Sequence, residues 1–357
     1  MSDITTHFDH IQKATVQIAT PQCTGKGVVL SEHGLIVTHQ HLVDSTPEVV
    51  ISNPNFQPHL GKVLFTDEIY DLAFIELPTD FPAVSLSFST APLQKGDKVF
   101  CMESEQREGT IIQTEYPFIN VNYLQTSICI DTEYSGSPLI NDAGEIVASL
   151  TGLLQNGFQK VGYALPHSYI LKAIEDYKNS LERIATRCRN CETIITNKTI
   201  APASSCSSCG ESVELPSQIL PYKAKGISRT IEKLIKKQGF RPELSRRGPN
   251  LWALIQGSAT IFLSYYERKG YITGDAFLCQ FPENGNTDKI YEFLLRQNYK
   301  VKGLTFSINQ RDIVLSLIIY DRHLNTDTAQ QLLQNLLEQA DYYDNVLVEE
   351  YGAIWKR

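Results

Sequence analysis

Short apolar runs bounded by polar or turn residues mark the first part of the chain. Residues 34–37 (GLIV) and 72–75 (LAFI) are too short for stable helices and are typical of buried strands. Between residues 168 and 182 the apolar side chains recur at helical spacing, which predicts a helix. We therefore expect strands in the first part of the chain, followed by a helix.

The pattern changes in the last part of the chain, residues 222–357, and predicts a separate α+β domain. Residues 215–221 (LPSQILP) have the composition of a linker before it. Apolar stripes at helical spacing predict helices at 227–238, at 288–297 and from residue 327 onward. Strand-like runs lie at 251–255, 259–266, 274–281, 303–308 and 313–319. The predicted order is therefore helix, three strands, helix, two strands, helix.

Length and composition narrow the class of protein. A length of 357 residues suggests two or three domains, and a formal net charge of −8 disfavours a general nucleic-acid role. The first seven residues carry neither the basic segment nor the apolar core of a signal peptide. No run approaches the roughly 18 apolar residues of a membrane span. We therefore expect a cytoplasmic protein with reduced thiols and no membrane partner.

Candidate chemistry centres on residues 125–140, whose kernel is Ser135 followed by Gly, Ser and Pro. Small residues and proline suit a tight turn, where backbone N–H groups can face the atom under attack. Serine is a poor nucleophile alone and needs a base and an orienting acid. His41 follows the first apolar run and Asp71 precedes the second, so the chain order is His, Asp, Ser. This is the order of chymotrypsin and not that of subtilisin or the α/β-hydrolases.

Five ordered segments carry a resemblance to a known family: residues 25–34, 37–43, 71–77, 125–139 and 161–166. Together they resemble the trypsin-like serine protease domain of the HtrA/Deg type. The resemblance implies an all-β double barrel within residues 1–183. It also implies that Ser135 is the nucleophile, that His41 is the general base and that Asp71 orients the base. His39 is the rival for the base, but the family pattern places the base directly before the Leu-Val pair.

The chain departs from the family pattern directly before the nucleophile. The family usually has Gly two residues before it and Asn or Asp next to it, where this chain has Glu133 and Tyr134. The resemblance implies that the backbone N–H groups of Glu133 and Ser135 form the oxyanion hole. A residue with a Cβ at position 133 could leave that peptide flipped. The domain is then either a slow or latent protease that a partner activates, or a protease-derived module that only binds.

The same resemblance places Cys129 at the base of the specificity pocket, with Gly152 and Gly162 also belonging to the pocket. Ser127, Cys129 and Ile130 are small or apolar, and no Asp stands at the base. A small or medium apolar side chain before the scissile bond is the expected preference, although Asp131 lies close by.

Four of the eight cysteines form two C-x-x-C pairs separated by 14 residues: Cys188, Cys191, Cys206 and Cys209. This spacing is typical of a zinc site, and two such pairs give a closed four-sulfur shell with a structural role. Residues 184–215 resemble a zinc ribbon and are too few to fold without a staple. Two disulfides are the alternative, which a reducing compartment disfavours.

Residues 222–357 resemble the type III secretion chaperone-like fold, including YbjN-like domains, in element order and in short patterns near residues 294–299 and 340–344. Such folds bind protein segments and often dimerise, which implies a protein partner and a homodimer. The combined expectation is a cytoplasmic serine endopeptidase with a structural zinc, restricted in activity, that cleaves an intracellular protein. The alternatives are a non-catalytic peptide-binding scaffold and a nucleic-acid sensor that uses the zinc ribbon.

Overall fold

The computed structural model describes residues 8–82, 84–102, 106–152, 161–282 and 287–355. The first seven residues, whose composition argued against a signal peptide, lie outside this part. The chain divides into two compact units, Met1–Tyr222 and Lys223–Arg357. Among the described residues, no helix combines the length and the apolar character needed to cross a membrane.

The first unit begins with helix α1 (Phe8–Ala14) and a six-stranded barrel. Its strands are β1 (Thr15–Ala19), β2 (Thr24–Leu30), β3 (Leu35–Thr38), β4 (Glu48–Asn53), β5 (Phe56–Asp67) and β6 (Leu72–Glu76), with the one-turn helix α2 (Gln40–Val43) after β3. The order is β5-β4-β1-β2-β3-β6, and pairing of β5 with β6 closes the ring. Apolar side chains such as Ile18, Ile36 and Ile75 fill its interior.

A second closed barrel of six strands follows. Its strands are β7 (Lys98–Met102), β8 (Gln106–Phe118), β9 (Val121–Thr126), β10 (Pro138–Ile140), β11 (Ile146–Thr151) and β12 (Gly162–Pro166), in the order β10-β11-β12-β9-β8-β7. Helix α3 (His167–Asn179) packs on β11 and β12. The two barrels and α3 share one hydrophobic core, which includes Phe74, Leu165 and Ile174. The predicted double β-barrel is confirmed.

The four-cysteine segment continues the sheet of the first barrel. Strand β13 (Ala185–Arg187) pairs in parallel with the end of β5 and antiparallel with β14 (Ile194–Thr196). The sequence did not determine whether the expected zinc ribbon packs on the barrel or on the last domain. In the structure its first strand lies within the first unit, hydrogen-bonded to Phe65–Asp67.

The second unit is an antiparallel sheet with helices. Its helices are α4 (Gly226–Lys237), α5 (Pro242–Ser245), α6 (Asp288–Lys300) and α7 (Thr326–Tyr351), and its strands are β15 (Arg246–Gly248), β16 (Leu251–Gln256), β17 (Ala259–Tyr266), β18 (Tyr271–Gln280), β19 (Thr305–Asn309), β20 (Asp312–Tyr320) and β21 (Ile354–Trp355). The sheet order is β15-β16-β17-β18-β20-β19, with β21 beside β18. Helix α7 packs on β18 and β20 over an apolar core that includes Trp252 and Leu336. The predicted order of the longer elements is confirmed.

Candidate active site

Three segments of the first unit bring His41, Asp71 and Ser135 together. His41 lies in α2 just after β3, and Asp71 directly precedes β6 in the same barrel. Ser135 follows a 3₁₀ turn, Thr132–Tyr134, and precedes β10 of the second barrel. The backbone N–H of Lys26, on β2, donates to the carbonyl oxygen of Ser135 at 2.7 Å. The first barrel therefore holds the serine of the second barrel through a backbone hydrogen bond.

The three side chains form a continuous hydrogen-bonded chain. Ser135 Oγ lies 3.2 Å from His41 Nε2, and His41 Nδ1 lies 2.7 Å from Asp71 Oδ2. The backbone N–H of His41 donates to Asp71 Oδ1 at 3.0 Å, which fixes the carboxylate relative to the ring. Burial alone would raise the pKa of Asp71, but His39 and then His41 hold it well below its usual range. Asp71 is therefore a carboxylate beside the imidazole.

Gly136 allows the close approach of the serine turn to the first barrel. Its φ is +91°, and a Cβ at this position would lie 2.0 Å from the carbonyl oxygen of Lys26. Both the backbone angle and the space therefore require glycine. This explains why the residue after Ser135 is one without a side chain.

The turn before Ser135 places a carbonyl group where an oxyanion hole needs N–H groups. The N–H of Ser135 donates to the carbonyl oxygen of Thr132 at 3.2 Å. A trans peptide is planar, so the N–H of Glu133 points away from this carbonyl and away from Ser135 N. Glu133 is not among the residues with positive φ. In this structure the two expected donors, Glu133 and Ser135, do not converge on one point, and the oxyanion hole is unformed.

The predicted pocket residues lie next to this turn. A Cβ on Gly152 would meet the Cα of Thr132 at 3.0 Å, and one on Gly162 would lie 1.7 Å from the carbonyl oxygen of Ile128. The N–H of Gly152 also donates to Ser135 Oγ at 3.2 Å. Cys129 is half-buried, and its carbonyl oxygen accepts from Arg107 at 2.9 Å. Both glycines therefore line the segment that carries Cys129 and leads to the serine.

His39 lies behind the three residues and does not compete with His41 for Ser135. Its side chain is fully buried, and Nδ1 lies 2.8 Å from the backbone oxygen of Asp71 and 3.1 Å from Asp71 Oδ2. Nε2 lies 3.0 Å from the carbonyl oxygen of Leu150 on β11. The sequence analysis named His39 only as a rival base. Its position two residues from His41 was the available signal, but nothing local indicated the contact with Leu150.

A buried ion pair supports the turn that carries Asp71. Arg187 Nε donates to Asp67 Oδ2 at 2.6 Å, and their side chains are 3% and 0% exposed. Asp67 Oδ1 accepts from the backbone N–H groups of Ile69 and Tyr70 at 3.0 and 3.1 Å. The guanidinium group also stacks 5.1 Å from the ring centre of Tyr70. Arg187 directly precedes Cys188, the first cysteine of the cluster. The cysteine segment therefore supports the turn before Asp71, because Arg187 binds Asp67 and Asp67 binds the backbone of that turn. Sequence analysis missed this pair.

The four predicted cysteines converge and could hold a metal ion. Their sulfur atoms all lie within 4.8 Å of one another, and the pairs Cys188–Cys209 and Cys191–Cys206 are each 3.6 Å apart. A tetrahedral shell with Zn–S bonds of about 2.3 Å requires S–S distances of about 3.8 Å. The donor set and the spacing therefore fit zinc. Thr193 lowers the pKa of the Cys191 thiol, whereas burial raises the pKa of the Cys188 thiol, so the case for the metal rests on the geometry of the four sulfur atoms.

The two cysteine pairs have the same local backbone hydrogen bonds. The N–H of Cys188 donates to the carbonyl of Thr193, and that of Glu192 donates back to the carbonyl of Cys188, both at 2.9 Å. The second pair repeats this pattern with Cys206, Gly210 and Glu211. Glu192 and Gly210 occupy equivalent positions and both have positive φ, +62° and +78°. The segment therefore forms two matching loops around the four sulfur atoms.

Comparison with known proteins connects this geometry to peptidases. Residues 25–148 match the family model of the trypsin-like peptidase domain. The serine protease HTRA2, mitochondrial, of Bos taurus is 28% identical over 160 residues, which cover 41% of this chain and 34% of that protein. The serine protease Do-like HtrB of Bacillus subtilis is 27% identical over 154 residues, covering 38% and 34% of the two chains. These matches support a trypsin-like peptidase domain of the HtrA/Deg type in the first unit.

The matches end well short of the full length of these relatives. The chain spans about a third of the length of the curated relatives it matches, with 34% of each covered. A solved structure, the serine endoprotease from Yersinia pestis, aligns with a TM-score of 0.44 and 21% identity, over 52% of this chain and 70% of that chain.

Proposed function

We propose that this protein is a serine endopeptidase that cleaves a protein substrate through Ser135, His41 and Asp71. The observation that carries the proposal is the continuous hydrogen-bonded chain from Ser135 Oγ to His41 and on to Asp71. The family match over residues 25–148 supports it independently. A cytoplasmic location is retained as part of the proposal.

The proposed reaction passes through an acyl-enzyme. His41 Nε2 takes the proton of Ser135 Oγ as the oxygen attacks the scissile carbonyl, and His41 then gives that proton to the leaving amine. Asp71 holds the Nδ1–H tautomer of His41 and stabilises the imidazolium that forms. Water attacks the acyl-enzyme by the same route in reverse, which releases the acid product and restores Ser135.

We further propose that the free chain is latent. The carbonyl of Thr132 accepts from Ser135 N, so the developing oxyanion would meet a carbonyl oxygen instead of two N–H donors. Loss of one such donor slows catalysis by about 10²–10³. Thr132 and Glu133 are exposed, so a partner or substrate that binds beside them can reach the turn and reverse this peptide. Residues 222–357, the last domain, are proposed to bind a protein partner or a second copy of the chain.

Zinc has a structural role in this proposal. Cys188, Cys191, Cys206 and Cys209 would hold it in a closed four-sulfur shell, which leaves no position for a substrate. When bound, the metal would cross-link the two loops of the segment that begins at Arg187. The reaction itself uses only side chains and backbone groups of the barrels.

The test is covalent labelling of the purified full-length chain with a fluorophosphonate probe. Because the free chain is proposed to be latent, the proposal expects a slow label on Ser135, and this label disappears in Ser135→Ala. Ser137→Ala is the matched control, because Ser137 is also fully buried and lies two residues away in the same turn. A label that survives in Ser135→Ala, or that requires Ser137, contradicts the proposal.

The competing candidate is a non-catalytic barrel that binds a peptide, and the unformed oxyanion hole is the observation that favours it. This candidate would be supported if neither wild type nor Glu133→Gly reacts with the probe. Glycine at position 133 removes the Cβ that resists reversal of the peptide, so a variant that still fails to react has no such obstacle.

A further inference from the structure

His39 is a fully buried histidine that joins the candidate acid to the second barrel. It is the residue directly before α2, with extended backbone angles (φ −86°, ψ 145°) that turn its side chain inward. One ring nitrogen, Nδ1, contacts Asp71, and the other, Nε2, contacts β11 at Leu150 and Ser149. No other residue type placed here supplies two nitrogen donors on opposite edges of a flat ring.

The oxygen atoms around the ring decide how many protons it carries. Nδ1 faces two acceptors that cannot donate, the backbone oxygen of Asp71 at 2.8 Å and its Oδ2 at 3.1 Å. Nε2 faces the carbonyl oxygen of Leu150 at 3.0 Å, which also cannot donate. A neutral ring would put a bare nitrogen lone pair against one of these oxygens. Because these three oxygens can only accept, both ring nitrogens of His39 require a proton.

One hydroxyl group offers an alternative for Nε2. Ser149 Oγ lies 3.1 Å from this nitrogen and could donate to it if the ring were neutral. The Leu150 carbonyl oxygen, at 3.0 Å, would then lie against the same lone pair, which is repulsive. With Nε2 protonated, both oxygens act as acceptors and the conflict disappears.

The charged and titratable groups around His39 favour the cation. The Asp71 carboxylate lies on one side, and His41 stacks on the ring with 5.5 Å between ring centres. Tyr123 of β9 faces Asp71 from the second barrel, and burial raises the pKa of that phenol, which keeps it neutral. Burial opposes the charge on His39, but the charge and hydrogen bonds of Asp71 outweigh it, so the pKa of His39 is raised.

We propose that His39 is a positioning residue: it stays protonated on both ring nitrogens at neutral pH, shares the Asp71 carboxylate with His41, and ties that carboxylate to β11. The inference rests on the proposed function only where it treats Asp71 as the acid that orients His41. His39 also ties Asp71 to Leu150, whose carbonyl oxygen accepts from Gly136 N at 2.8 Å beside the nucleophile. One ring therefore connects the acid to the strand that supports the serine turn.

Replacement of His39 by a neutral side chain removes one of the two ring N–H donors from Asp71 Oδ2 and breaks the link from Asp71 to Leu150. Asp71 should then orient His41 less well towards Ser135, and covalent labelling of Ser135 should slow.

The experiment is a nitrogen NMR titration of full-length protein labelled with ¹⁵N-histidine, in wild type and in His39→Asn. The nitrogen shifts distinguish a protonated ring nitrogen from a bare one. We expect both His39 nitrogens to carry protons at pH 7 in the wild type, a reading that needs no variant to fold. We expect fluorophosphonate labelling of Ser135 to slow in His39→Asn, because Asp71 loses its link to Leu150.

His167→Asn is the matched control. His167 also contacts β11, with Nδ1 2.9 Å from the carbonyl oxygen of Val147, but it bonds this carbonyl and not Asp71. Its loss should leave the labelling rate of Ser135 unchanged. A bare His39 nitrogen at pH 7, or equal labelling rates in wild type and His39→Asn, would overturn the inference.

The two measurements together separate this inference from the proposed function. Equal labelling of Ser135 in wild type and His39→Asn means that the function stands and the role of His39 does not. Protons on both His39 nitrogens without any labelling of Ser135, also in Glu133→Gly, mean that the arrangement around His39 stands and the peptidase proposal fails.

Discussion

Replacement of Glu133 by glycine should activate the site. To form an oxyanion hole, the peptide between Thr132 and Glu133 must rotate so that its N–H replaces the Thr132 carbonyl, which now accepts from Ser135 N. In a 3₁₀ turn φ is about −60°, and reversing the peptide changes φ of residue 133 by about 180°, into positive values. Residues with a Cβ disfavour such values by about 1–3 kcal/mol, whereas glycine adopts them readily.

That difference converts directly into the population of the formed hole. Because about 1.4 kcal/mol is a factor of ten, Glu133→Gly should raise the rate constant for fluorophosphonate labelling of Ser135 by about 5- to 150-fold. The exposure of Thr132 and Glu133 means that packing does not resist the rotation. The assay compares second-order labelling rate constants at one pH and one ionic strength.

Glu133→Ala is the control that separates backbone from charge. Alanine removes the carboxylate but keeps a Cβ, so it should leave the labelling rate close to that of the wild type. Equal acceleration by alanine and glycine would mean that the charge, and not the backbone, restrains the site. No acceleration by glycine in a protein that does label would refute the argument about the flipped peptide.

Three further predictions concern the parts that support the site. Arg187→Met leaves the buried Asp67 carboxylate unpaired and should lower the free energy of unfolding by about 3–5 kcal/mol in urea titrations followed by far-UV circular dichroism. The exposed neighbour variant Arg189→Met should have little effect, and similar losses in both would contradict the role of the pair. Metal analysis should find one zinc ion per chain, and Cys206→Ser should lose it. The control Cys279→Ser should retain the ion, because Cys279 lies in the second unit. Retention of zinc in Cys206→Ser would contradict the site. Against the opposing effect of burial, the charge and hydrogen bonds of Asp71 raise the pKa of His39. Its contribution to stability is therefore complete below the unfolded value of about 6.5 and is lost as pH rises through the folded value. Above about pH 6.5, wild type should lose more stability with rising pH than His39→Asn, and parallel pH curves would refute this.

The parts of the fold that local patterns predicted are those with one clear period. Strand β17 has the predicted bounds, and its side chains are alternately buried and half-buried from Ala259 to Ser264. Helix α6 extends beyond its predicted end to Lys300, since the last turn carries polar residues that hide the period. The His, Asp and Ser of the candidate site were found from motif order, since each stands at the edge of an apolar strand.

The contacts that set the state of the site were not predictable in this way. The Cβ of Glu133 indicated that its peptide could be flipped, but the hydrogen bond from Ser135 N to the Thr132 carbonyl that holds this orientation has no sequence signature. The parallel pairing of β13 with β5 joins segments about 120 residues apart through backbone groups. Backbone hydrogen bonds of this kind carry no information on side-chain identity, so the sequence left the position of the cysteine segment open.

The candidate acid is held from two sides by partners that lie far away in the chain. Asp71 adopts a positive φ of +51°, which a residue with a Cβ resists, so its surroundings must favour it. On one side His39 and Gln40 donate to its backbone oxygen, and on the other Arg187 stabilises the preceding turn through Asp67. A buried charge such as Asp67 is tolerated only with its partner in place. The segment that carries the four cysteines therefore supports the geometry of the candidate active site, and removal of the proposed zinc ion should change the surroundings of Asp71.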